Sequence, residues 1–218
     1  MKLKVKKELN KKIAITLFTL FMFSIFQFYS IVKTVSAATD DDDVIVTLDV
    51  TAGITISDGA PVTMAPDIGI VSDSSIGSSS WLVKTNALNG YTLAVKASTT
   101  PALKSGTESF ADYTEGTSGI PEAWSVGVGD KEFGFSAYGT DTTTGTWGTA
   151  QSCGAAGIPD AAQYYVGFTT SDKTIATRAL VTPTAGITTT ICFAAEQNAV
   201  YAASGTYTAT ITATATTL

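Results

Sequence analysis

The sequence predicts an antiparallel β-sandwich, or a barrel-like sandwich, of about eight to ten strands with long loops. Three observations carry this. Residues 44–218 hold many short alternating or β-branched runs, separated by Gly, Ser, Asp and Pro. No amphipathic helical period follows the N-terminal segment. The chain closes on a run in which Tyr207, Ala209, Ile211, Ala213 and Ala215 alternate with Thr208, Thr210, Thr212, Thr214 and Thr216. Threonine suits strands through its β-branch, and the small alanines opposite imply close packing on a facing sheet. Hydrophobic residues make up 44% of the 218, enough for a core and against general disorder.

The elements follow in chain order. Residues 1–12 are basic, residues 13–32 almost wholly apolar, and Lys33–Ala38 ends in small residues. This is the layout of a secretory signal peptide over 1–38, with cleavage after Ala37 or Ala38. The competing reading is an uncleaved anchor, since about 20 apolar residues span a bilayer core of about 30 Å. In both readings the lysines hold the N-terminus inside and the body is exported. Localisation is therefore expected to be extracellular or at the cell surface, with membrane contact only through the N-terminal segment. No cysteine follows the apolar run to take a lipid, and the closing TATATTL has no wall-sorting signal. Attachment is expected to be non-covalent or through self-assembly.

Asp40–Asp43 falls in an acidic leader at 39–43. It reads as a solvated tail, because a calcium loop spaces its oxygen ligands and includes a glycine. A single all-β domain is then expected over 44–218. Val44–Val50 places Val44, Val46, Leu48 and Val50 on one face of a strand, and 57–80 reads as loop. Trp81–Thr85 and Tyr91–Ala97 read as two strands around Asn89-Gly90, a strong hairpin signal. Residues 98–130 read as an excursion with a short helix near 108–115, and 139–160 as a second loop-rich stretch. Further strands are expected at 132–138, 164–168, 177–181 and 188–195. TAGIT occurs at 51–55 and 184–188, and reads as two similar strand starts in one domain.

Charge and composition exclude several chemistries. Of 13 basic residues, seven precede Thr39; beyond it stand six basic against eighteen acidic residues. An acidic body lacks the footprint of a nucleic-acid binder. The chain has no histidine, which removes His-based zinc sites, Ser-His-Asp triads and Cys-His dyads. Glu108, Glu115, Glu122, Glu132 and Glu196 could serve glycosidase-type chemistry, but no spacing singles out a pair. No cofactor, no metal site and no enzyme activity is expected. Cys153 and Cys192, in an exported chain, read as a disulfide rather than two buried thiols. Trp124, Trp147 and Tyr138 are candidates for stacking on sugar rings, with packing the competing use of each ring. Val44–Val50 could also complete the sheet of a neighbouring copy, with pairing inside its own domain as the alternative.

Two segments, Asn89–Val95 and Gly205–Thr212, resemble the WxL-type surface proteins of Gram-positive bacteria. In that family a glycine followed by Trp-x-Leu opens a strand, and a threonine-rich strand with a second Trp-x-Leu ends the chain. Here Tyr91 stands at the first tryptophan and Ala213 at the second. The resemblance implies a secreted all-β domain that associates non-covalently with the cell wall. The expected function is that of a non-enzymatic, wall-associated structural protein. Its expected partners are cell-wall polymer, a surface glycan for an adhesin, or another copy in a strand-exchanged filament.

Overall fold

Strand-period runs in this chain assemble into two sheets of unequal size, whose inner faces share one core. The computed structural model describes residues 2–29, 44–57 and 59–218. The chain divides into two units, Met1–Asp49 and Val50–Leu218.

In the first unit, α1 spans Lys2–Tyr29. Among the described residues no helix is long and apolar enough to cross a membrane. Residues 30–43 hold the end of the apolar run, both expected cleavage positions and the acidic leader, and lie outside the described residues. The expected strand at Val44–Val50 is not formed. Residues 44–50 carry no regular secondary structure, and Val44, Ile45, Val46, Leu48 and Val50 are all exposed. Alternation is only a permission to be a strand; the backbone also needs a partner edge.

The second unit is all-β and antiparallel almost throughout. Its strands are β1 (Ile54–Ile56), β2 (Ser74–Thr85), β3 (Tyr91–Ala97), β4 (Lys104–Ser105), β5 (Glu108–Ser109), β6 (Ala111–Asp112) and β7 (Glu122–Ala123). They continue with β8 (Lys131–Gly139), β9 (Gly154–Ala155), β10 (Ile158–Pro159), β11 (Tyr164–Gly167), β12 (Lys173–Arg178), β13 (Ile187–Gln197) and β14 (Ile211–Thr217), with the one-turn helix α2 at Thr144–Trp147. The larger sheet runs β1-β2-β13-β8-β11-β7, with β6 beside β8 as a short parallel pair. The smaller runs β12-β3-β14. Small hairpins β4–β5 and β9–β10 sit in the two long excursions. Hairpin pairing replaces the helix expected near 108–115. Both TAGIT copies lead strands that flank β2: Ile56 and Ile187 each lie opposite Val83.

Period two explains the core. On β3, Tyr91, Leu93, Val95 and Ala97 are buried and alternate with half-buried Thr92, Ala94 and Lys96. They pack with Trp81 and Val83 of β2, Phe133 and Phe135 of β8, Ile191 and Phe193 of β13, and Ile175 of β12. Phe168 stacks on Phe133 and Phe135 with centroids 5.2 and 4.3 Å apart. Aromatic rings thus supply much of the buried area.

Asn89-Gly90 does not close the expected hairpin. β2 and β3 belong to different sheets, so the turn carries the chain across the sandwich. Gly90 has φ +80°, its N–H donates to the Ala87 carbonyl, and a β-carbon there would collide with the Arg178 carbonyl. Asn89-Gly90 does turn the chain, but the partner of each strand is a non-local choice. The first half of β2, SSIGSSS, was expected as loop and is strand. Apart from Ile76 its side chains are small, and the 57–64 segment lies close over it: Val62 and Met64 press on Gly77, and Ser79 Oγ donates to the Ala60 carbonyl at 2.9 Å.

One polar cluster joins the layers. The Tyr91 hydroxyl donates to Asp141 Oδ2 at 2.8 Å, and Arg178 donates to Asp141 Oδ1 at 3.1 Å. Asp141 follows β8 of the larger sheet, while Tyr91 and Arg178 belong to the smaller. The Tyr91 pKa is raised, first by burial and then by its bond to Asp141. Losing one partner of such a pair strands the others in a dry environment.

At one corner of the sandwich the closure is incomplete. β14 pairs only with β3 among the described residues. Its inward residues Ile211, Ala213 and Ala215 are only half-buried, as are Ile54 of the larger sheet's edge strand β1 and its neighbour Ile56. The far edge of β12 differs, because Thr177 N–H donates to the Asp141 carbonyl at 3.0 Å.

Replacing Asp141 with alanine is expected to lower the unfolding free energy by about 3–5 kcal/mol. Lys96→Ala, which removes only an exposed pair with Asp172, is expected to change it by less than about 1 kcal/mol. Chemical denaturation of the two variants measures both.

Candidate functional site

The outer face of the larger sheet is not left to solvent, and its covering holds the candidate residues. Strand alternation sends Cys192, Ala194 and Glu196 of β13 outward, with Ser136 and Tyr138 of β8 and Ile76 and Ser78 of β2. Cys192 lies opposite Ser78 on one side and Ser136 on the other. It is fully buried and forms the disulfide with Cys153, 39 positions away, at a Cα–Cα distance of 5.2 Å.

This bond fixes the segment after α2 onto the sheet, and hydrogen bonds complete the attachment. Gln163 is fully buried. Its Oε1 accepts from Ser136 Oγ at 3.2 Å, and its Nε2 donates to the carbonyls of Ala150 and Ser152 at 3.3 and 3.4 Å. A buried amide needs all its partners, and this one holds both strand and loop. Asp160 accepts from Ser152 Oγ at 2.7 Å and from Ala162 N–H at 3.0 Å. The Ser152 bond, then the Ala162 bond, hold its carboxyl below the usual range.

A shallow cleft of about 700 Å³ opens between this segment and β2. Pro66, Ile76, Ser78, Tyr138, Ser152 and Cys153 are among its walls, and Tyr138 is the only ionisable side chain there. Small and apolar walls of this kind can accept a flat or aliphatic group; they offer no acid–base pair.

The three aromatic candidates do not form one surface. Trp147 is 2% exposed and packs on Phe135 with centroids 5.6 Å apart. Its ring is used in packing, the competing use that the sequence left open for it. Trp124 is half-buried, stacked on Tyr113 at 4.5 Å and edge-on to Tyr165 at 5.2 Å. Its Nε1 donates to Glu196 Oε2 at 2.6 Å. Gly134 makes room beneath this group, since a β-carbon there would stand 2.8 Å from Tyr113 Cβ and 3.0 Å from the Trp124 ring. Tyr113 donates to the Ala123 carbonyl at 3.0 Å and accepts from Ser125 N–H at 3.2 Å. Burial pushes its hydroxyl up to about 12. Tyr138 alone faces the cleft.

The carboxylates gather near Tyr113 but serve the backbone. Glu115 accepts from Gly167 and Gly119 N–H, Glu122 from Gly116 N–H at 2.9 Å, and Glu132 from Thr114 N–H at 3.2 Å. Glu108 pairs instead with Lys131 at 3.6 Å. Burial raises the pKa of Glu132, with the charges of Asp130 and Glu115 adding to it. Burial also raises that of Asp112, whose Oδ1 accepts from Ala102 N–H at 2.9 Å while Oδ2 is buried without a partner. No group of three or more His, Cys, Asp or Glu among the described residues is placed to hold a metal. Gln163 and Ser136 were not singled out by sequence, because a buried polar pair leaves no local signature.

Fold and site together define an all-β, disulfide-bonded domain with loops fixed over its larger sheet. No protein-family model, curated protein or solved structure matches the chain.

Two outcomes follow. Cys153→Ala with Cys192→Ala is expected to cost about 2–4 kcal/mol of stability, read by denaturant unfolding of oxidised wild type against the double variant. The raised carboxyls give a pH dependence of known sign. Above about pH 4 the unfolded chain releases protons that native Asp112 and Glu132 still hold, so rising pH favours unfolding. Asp112→Asn combined with Glu132→Gln is expected to flatten that fall, measured as melting temperature against pH.

Proposed function

We infer that this chain is an exported, non-enzymatic structural protein of the cell surface, held to wall polymer without a covalent bond. The observation that carries the reading is the Cys153–Cys192 disulfide, which clamps a long loop onto the central strand. Such bonds persist in oxidising compartments outside the cytosol. The basic start and apolar run of the N-terminus support the same destination. So does the resemblance of Asn89–Val95 and Gly205–Thr212 to WxL-type proteins. The non-enzymatic part rests on how the reactive side chains are used: carboxylates hold backbone N–H groups, and the cleft is lined by small residues. A glycan-binding role for Trp124 or Trp147 has less support, because packing occupies their rings.

The sandwich core lies wholly within Val50–Leu218, so residues 39–218 form a self-contained test protein. Incubated with washed bacterial cell walls at moderate salt, it is expected to co-sediment and to saturate. Failure to pellet with walls overturns wall association.

A further inference from the structure

We propose that two turns at one end of the sandwich insert their apices into the surface of a zwitterionic lipid bilayer. This goes beyond wall association, does not depend on it, and departs from the expectation that only the N-terminal segment meets a membrane. The turns break a local rule. Gly69 N–H donates to the Ser72 carbonyl at 2.9 Å, which leaves Ile70 and Val71 as the apex of the first turn. Asp130 N–H donates to the Gly127 carbonyl at 3.1 Å, and Gly129 has φ +94°, which leaves Val128 at the apex of the second. Turn positions are ordinarily held by Gly, Pro, Asn, Asp and Ser. Here the apices carry β-branched aliphatic residues, with Ile70 and Val128 each 82% exposed and Val71 96% exposed. Lone exposed apolar residues are ordinary, but several gathered on neighbouring apices against local preference mark a contact surface.

The end of β13 holds the turns side by side. Gln197 N–H donates to the Asp73 carbonyl at 2.8 Å, and its buried side chain donates from Nε2 to the Gly69 carbonyl at 2.8 Å. Asn198, the next residue, donates from Nδ2 to the Val126 carbonyl at 2.8 Å, and its carbonyl accepts from Gly129 N–H at 2.7 Å. A third loop joins them, since Ala202 N–H donates to Gln197 Oε1 at 2.9 Å and the neighbouring Tyr201 is exposed. The tip is therefore preformed. It lies at the Ser74 end of β2, whereas the chain enters the sandwich at the Thr85 end, where Gly53 N–H donates to Asn86 Oδ1 at 2.6 Å. Residues 44–50 are too short to cover it. Even Val44, fully extended from Gly53, reaches at most about 32 Å, and β2 alone runs about 36 Å. Shape and charge choose the partner. Exposed apices project, and a fluid acyl phase receives projecting apolar groups without a preformed groove. Asp67, Asp73 and Asp130 stand exposed around them. Those carboxylates are repelled by an anionic bilayer and attract the ammonium of a zwitterionic headgroup. They also repel the same tip of a second copy.

Flotation of residues 50–218, which hold the whole sandwich core, with phosphatidylcholine vesicles tests this. The expected result is co-flotation that weakens as phosphatidylglycerol replaces phosphatidylcholine. Val71→Asp and Val128→Asp are each expected to lower the bound fraction about tenfold or more. Leu88→Asp, at a position 83% exposed beyond the other end of β2, is expected to leave it unchanged. All three positions are exposed, so melting temperatures equal to wild type are expected to show that the fold is kept. Absence of flotation would overturn the proposal. So would flotation undiminished in Val71→Asp and Val128→Asp, equally diminished in Leu88→Asp, or strengthened by phosphatidylglycerol. A dimer in sedimentation velocity that Val71→Asp dissolves would also overturn it, by giving the turns to a second copy.

Discussion

Everything in the sandwich is organised around β13, a strand whose backbone is paired along both edges and whose side chains are covered on both faces. It lies opposite β2 from Ile187 to Glu196 and opposite β8 from Thr189 to Gln197. Buried backbone groups must be hydrogen-bonded, and here both ladders satisfy them over nearly the full strand. Its inward residues Ile191, Phe193 and Ala195 join the main core, while Cys192 and Ala194 join the cluster on the other side. A strand dry on both faces requires a layer on each. The smaller sheet supplies one layer, and the two long excursions supply the other. The disulfide, Gln163 and the Tyr113–Trp124 stack are the devices by which irregular chain does the work of a second layer.

That demand explains what sequence reading recovers. Tyr91–Ala97 is read to its ends, because one face is buried and the other half-buried, giving clean alternation. Lys131–Gly139 and Ile187–Gln197 are found as strands with boundaries one or two residues short, their stretches buried on both faces lying in the interior of each strand. Ser74–Ser80 is missed, because its run of serines and Gly77, which Val62 and Met64 crowd, has little strand propensity. Val44–Val50 is the converse, a strand pattern with no strand. Pattern reports which faces could be buried, and the availability of an edge decides whether they are.

The candidate site was legible in kind and not in arrangement. Cysteine pairing needed only two cysteines and the expectation of export. Aromatic residues in loop-like stretches suggested ligand contact, yet those loops must themselves cover a sheet, and a covering loop spends its aromatics inward. Trp147 is the clear case. The acidic residues follow the same logic. Loops that crowd onto a sheet leave N–H groups without strand partners, and Glu115, Glu122 and Glu132 receive them.

The disulfide has one more effect, on wear rather than on folding. It closes a ring of chain that includes β9 to β12 and so takes in one edge strand of the smaller sheet. A protease that cuts once between residues 154 and 186 opens the ring but releases nothing: both fragments stay bonded, with the ladders around β13 still in place. A single cut in those loops is therefore survivable, and the vulnerable stretches are those outside the ring.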